Sequence, residues 1–103
     1  MPQWLVLAQD GADPEAPARR QAAREAHLAF VRPMVERGEL IAGGAVLDEA
    51  GVMTGSAVIV EFEDRAALDA WLAADPYVTA GVWQRIEVKP FRLAVVTPKP
   101  PLG

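Results

Sequence analysis

Leu40 to Phe62, LIAGGAVLDEAGVMTGSAVIVEF, decides the fold. Leu40 to Val46 (LIAGGAV) is a short apolar run that reads as a strand, and Gly43-Gly44 within it predicts a bulge or a close approach of another backbone. Leu47 to Thr54 is a turn region. Ser56 to Phe62 (SAVIVEF) is a further strand, so apolar that it belongs in the middle of a sheet. Two strands in succession therefore occupy the centre of the chain.

A helix and an outer strand flank that pair on each side. Ahead of it, Gln3 to Gln9 (QWLVLAQ) reads as a strand, Asp10 to Pro17 as a loop and Ala18 to Arg37 as a helix. Ala23, His27, Phe30, Met34 and Val35 recur at three- and four-residue steps and are expected on one helix face. Pro33 is an irregularity within that helix, and Gly38 fits the position just past its end. Behind the pair, Asp64 caps a helix from Arg65 to Ala74 with Leu68, Trp71 and Leu72 as its apolar stripe. Asp75-Pro76 starts another helical turn that Gly81 closes. Trp83 to Val96 is the last strand, with a one-residue slip of its apolar phase at Lys89-Pro90 that predicts a bulge.

The order β-α-β-β-α-β is the split pattern of the α+β, ferredoxin-like fold: a four-stranded antiparallel sheet with the helices on one face. Residues 1–96 are expected to form a single domain, and 97–103, with three prolines, a tail that is extended or disordered. The strands are too apolar to leave the second sheet face in water. Two sheets packed face to face in a homodimer are the economical cover.

Composition narrows the function. The chain has 103 residues, a formal net charge of −4 and no cysteine. An acidic surface argues against nucleic acid or anionic membrane as partner, and the lack of thiols removes disulfides, thiolate catalysis and zinc–sulfur sites. No apolar run approaches the roughly 20 residues of a membrane helix, and Met1 to Asp10 reads as a strand and not a signal peptide, so the expected location is cytoplasmic.

His27 is the lone histidine, and imidazole is the side chain whose ordinary pKa lies nearest neutrality. It is either a helix residue at the rim of the core or a general acid or base. Asp75 is the acid best placed to orient it, although Asp-Pro at a helix start is also a plain capping arrangement. Arg24, one turn before His27, is a solvated helix residue, a partner for one of the nearby acids, or a cationic anchor. Tyr77 is the sole tyrosine, a core-edge ring or a hydrogen-bond donor to substrate. Ser56 opens its strand either as part of a simple turn or as a pocket hydroxyl; no nucleophile elbow surrounds it. Trp4, Trp71 and Trp83 are expected in the core or a dimer interface. Gly43-Gly44 lacks a dinucleotide pattern, no phosphate loop exists, and no spacing suggests a metal, so no cofactor is expected.

Together, Arg24-x-x-His27-Leu28, Gly38-x-Leu40-x-x-Gly43, Gly55-Ser56, Asp75-Pro76-Tyr77 with Gly81-Val82, and Val88-x-Pro90-Phe91 resemble the YciI-like (YCII-related domain) family from Trp4 to Val96. The resemblance implies a dimeric α/β barrel and an active site on a histidine–aspartate dyad, carried over to His27 and Asp75, with Ser56 a further pocket residue. It also implies lyase or dehydrochlorinase chemistry on small oxygenated rings. Ala42-Gly43-Gly44 departs from the Ala-Gly-Pro frequent in such proteins, which bears on pocket shape. The leading expectation is a small cofactor-independent enzyme in which His27 moves a proton on a small polar, phenolic or enolisable molecule, while Asp75 sets its tautomer and Arg24, Ser56 and Tyr77 hold substrate. The alternative is a non-catalytic small-ligand-binding or accessory domain with a structural His–Asp pair. A cofactor-free monooxygenase of the same architecture ranks third.

Overall fold

The computed structural model describes residues 1–98. They form β1 (Gln3–Asp10), α1 (Ala16–Glu36), β2 (Leu40–Leu47), β3 (Met53–Glu61), α2 (Arg65–Ala74), α3 (Pro76–Thr79) and β4 (Trp83–Phe91). The strands make one antiparallel sheet in the order β2-β3-β1-β4, so the two strands flanking the first helix are separated by β3, as a split β-α-β unit requires. Trp4, Val6 and Ala8 alternate inward along β1, opposite Val60, Val58 and Ser56 of β3. These side chains meet Ala23, Val31 and Met34 of α1 and Leu68 and Trp71 of α2, which places the core between the sheet and one layer of helices. Leu5, Leu7, Ala57 and Ile59 alternate with them, half-buried, on the opposite sheet face.

Local chemistry sets the element ends. Asp64 accepts a hydrogen bond from the Ala67 amide at 2.9 Å and caps α2. Gly38 (φ 78°) follows α1, where its own amide reaches the Val35 carbonyl and the Glu39 amide reaches that of Met34. This paired return closes the helix through a left-handed residue. Gly81 (φ 73°) repeats the device after α3, with the Val82 amide on the Tyr77 carbonyl at 3.0 Å.

Several expected details differ. α1 begins at Ala16, so Pro17 lies inside its first turn, where a missing N–H costs nothing. Val35 is 53% exposed and Val31 is buried in its stead, since the 27–31–34 spacing tracks the core better than 27–34–35. The expected turn at Leu47–Thr54 is shorter: Asp48 accepts from the Ala50 and Val52 amides, and Met53 and Thr54 join β3. Gly43 and Gly44 pair in regular register with Val58 and Ala57; the extra residues of β2–β3 pairing are Ile41 and Thr54. The close approach instead belongs to Gly55, where a Cβ would collide with the Ala8 carbonyl oxygen. β4 ends at Phe91 and not Val96, because Phe91 already pairs with Gln3 and β1 goes no further. Lys89 and Pro90 stay in register, and the slip falls at Gln84, between the pairs Gln9–Arg85 and Asp10–Trp83. As an edge strand, β4 accommodates Pro90 without losing an interior ladder bond. Of the proline-rich tail, Lys99 to Gly103 lies outside the described residues.

Candidate functional site

Asp75 joins α2 to α3 and is fully buried. The proline after it disfavours helical backbone, so Asp75 takes extended angles (φ −65°, ψ 130°) and ends one helix while starting the next. Its Oδ1 accepts the Tyr77 amide at 2.9 Å, and its Oδ2 accepts the Trp71 indole N–H at 3.0 Å. Those two bonds hold the carboxylate in one orientation inside the core. The remaining direction at Oδ1 is taken by His27 Nδ1, at 2.7 Å.

The α1 spacing explains how His27 arrives there. Arg20, Ala23 and His27 follow one another on the face that packs against α3 and the sheet, and the His27 ring stacks on Tyr77 at 3.8 Å with 7° between planes. Trp83 meets the same ring edge-on at 5.6 Å. Because a carboxylate only accepts, Nδ1 carries a proton in both the neutral and the charged ring. Nε2 is left with no protein partner among the described residues. The acid therefore fixes a tautomer whose free lone pair belongs to the other nitrogen.

The ring lines a cleft of about 410 Å³ between α1, β2 and β3, shared with Arg20, Arg24, Ser56, Tyr77 and Trp83. That volume suits a small ring compound. Burial pushes the Tyr77 phenol above its ordinary range, with Arg20 and Arg24 pulling the other way. Arg20 passes over the Tyr77 ring at 4.9 Å, binds Asp10 through Nη1 at 3.0 Å and donates through Nη2 to Ser56 Oγ at 3.0 Å. Trp83 Nε1 donates to the same Ser56 oxygen at 3.1 Å. A larger hollow of about 630 Å³ lies beside the Asp10–Asp13 loop and the β2–β3 hairpin, also includes Ser56 in its lining and holds no histidine. Among the described residues no group of three or more metal-ligating side chains converges, and no helix is long and apolar enough to cross a membrane.

All five residues singled out in the sequence thus meet around this cleft: His27, Arg24, Ser56 and Tyr77 line it, and Asp75 lies behind His27. Sequence reasoning missed Arg20, Asp10 and the polar roles of Trp71 and Trp83. Arg20 is four residues before Arg24 and seven before His27, so helical spacing alone puts it on the same side. Trp71 is four residues before Asp75, within reach of one helical turn.

The family model of the YCII-related domain matches residues 3–92. The chain is 41% identical over 95 residues to Protein YciI of Escherichia coli O6:H1, across 86% of this chain and 95% of that one. It is also 41% identical over 96 residues to an uncharacterized protein of Haemophilus influenzae, with the same coverage of 86% and 95%. Among solved structures it is similar to 5-chloro-2-hydroxyhydroquinone dehydrochlorinase (TftG) of Burkholderia phenoliruptrix AC1100 in complex with 2,5-dihydroxybenzoquinone. The TM-score is 0.76 and the identity 25%, over 89% of this chain and 95% of that one.

Proposed function

The chain belongs to the YCII-related domain family, and from that premise we propose that it is a cofactor-independent acid–base enzyme acting on a small polar ring. The observation that carries the reading is the 2.7 Å contact of His27 Nδ1 with a buried carboxylate, which leaves Nε2 free at a cleft. Asp75 holds the neutral tautomer and stabilises the imidazolium formed in the reaction. His27 Nε2 takes a proton from the substrate, the electron pair moves into the ring, and a leaving anion departs from the other end with its bonding pair. Arg24, Ser56 and Tyr77 hold substrate oxygens. The similarity to a dehydrochlorinase that binds a hydroxylated quinone supports elimination on a phenolic ring; isomerisation uses the same proton step.

The half-buried outer sheet face, with Leu5, Leu7, Ala57 and Ile59, supports a homodimer packed through its sheets. Sedimentation or light scattering tests this: a monomer at all working concentrations removes it.

His27→Ala tests the chemistry. With chlorinated hydroxyhydroquinones as substrates and chloride release as the readout, turnover falls by about 10²–10⁴-fold, the usual worth of a general acid–base group. Circular dichroism stays native. Retained turnover in a folded variant would sink His27 as the base, whereas no turnover by the native chain would favour a ligand-binding domain, for which the Trp71 and Tyr77 bonds to Asp75 already supply a structural role.

A further inference from the structure

We propose that the cleft takes its ligand as an oxyanion, an ionised phenol, enol or carboxylate, held by the Ser56 hydroxyl as an obligate donor and by the Arg24 guanidinium. The proposal rests on the reading of this cleft as the ligand site.

Ser56 carries the argument. Its Oγ receives Arg20 Nη2 at 3.0 Å and Trp83 Nε1 at 3.1 Å. Guanidinium and indole nitrogens can only donate, and a hydroxyl oxygen has two lone pairs and one hydrogen. Both lone pairs are therefore occupied, and the O–H is the one thing Ser56 can offer. No acceptor for it exists among the described residues, and Ser56 lines the cleft while only 5% exposed. Arg20 cannot turn away to relieve this, because Asp10 clamps its other terminal nitrogen within a buried ion pair.

The surrounding charge points the same way. The chain carries a net −4, yet among the described residues no aspartate or glutamate lines this cleft, whereas Arg20, Arg24 and His27 do. Asp10 answers Arg20, but Arg24 forms no ion pair among the described residues. A cleft that offers an oriented donor and an uncompensated cation to its occupant selects an anionic oxygen. A polyhydroxylated ring satisfies both demands: one ionised oxygen between Ser56 and Arg24, and a second hydroxyl to give its proton to His27.

The test compares 2,5-dihydroxybenzoquinone, a vinylogous acid ionised at neutral pH, with its neutral dimethyl ether. Binding is read from the ring NMR signals of His27, the lone histidine. Ser56→Ala strips two buried donors of their acceptor, so Arg24→Gln, at an exposed position, carries the comparison. The ionised quinone is expected to bind about tenfold tighter or more, the worth of one charge-assisted hydrogen bond. Arg24→Gln is expected to erase that preference and leave the ether unchanged. Equal binding of both probes with a responsive His27 ring overturns the oxyanion and leaves the cleft as a ligand site, and a preference indifferent to Arg24→Gln overturns Arg24 as its holder. A His27 ring that responds to neither overturns both.

Discussion

Asp75→Asn is the substitution on which the most reasoning converges. The native carboxylate accepts three hydrogen bonds in a site with no solvent: from His27 Nδ1, the Tyr77 amide and Trp71 Nε1. An amide has one accepting oxygen and one NH2 that only donates. With the oxygen in the place of Oδ1, the His27 and Tyr77 bonds survive and the NH2 faces the Trp71 N–H, donor against donor. The reverse orientation loses two bonds to save one. The better arrangement therefore leaves one buried indole N–H unpaired, at a cost of about 1–3 kcal/mol. In a domain of this size that lowers Tm by roughly 5–20 °C. Urea unfolding at fixed protomer concentration measures it, alone and in a Trp71→Phe background. With the indole N–H already gone, Asn faces no opposing donor, and the cost of Asp75→Asn shrinks by most of its value. A variant within about 0.5 kcal/mol of native, or an undiminished cost beside Trp71→Phe, refutes the three-acceptor account.

Other outcomes follow from the same geometry. Nitrogen-15 spectra of the neutral imidazole are expected to show the proton on Nδ1, the nitrogen facing Asp75; a proton on Nε2 contradicts the proposed base. The Tyr77 phenol, raised above its ordinary 10.0 by burial, contributes stability that is fully present below pH 10.0 and lost as pH climbs through the folded value. As the sole tyrosine, its phenolate absorbance titrates later in the folded protein than in urea, and Tyr77→Phe removes this alkaline loss; coincident titrations would contradict it. Gly55→Ala drives a methyl into the Ala8 carbonyl and is expected to cost about 1–3 kcal/mol, whereas Gly44→Ala meets open space and stays near neutral. Chemical denaturation of the pair separates them, and equal midpoints would refute the close approach.

The sequence was most legible where a local rule acts alone. Asp64 and Asp75-Pro76 bound α2 at the expected residues because caps and proline sterics involve near neighbours only. Bulges were misplaced because the extra residues Ile41, Thr54 and Gln84 are defined by the partner strand's register, which a strand's own apolar phase does not encode. β4 stopped early for the same reason: Gln3 sets its limit from the far end of the chain. At the site, lone residues such as His27 and Tyr77 attract notice through scarcity. Arg20 does not, since arginine is ordinarily solvated and its burial depends on Asp10, Ser56 and Trp83 arriving from three other segments.

The double duty of Asp75 has a consequence for how such chains diverge. The acid that faces His27 also ends α2 and begins α3, so losing it costs stability even where the proposed chemistry is no longer selected. The histidine carries no comparable architectural debt. In a lineage that abandons its reaction, the Asp-Pro pair persists and the imidazole drifts. An aspartate without its histidine would then mark structure alone, and the two together are what the proposed chemistry requires.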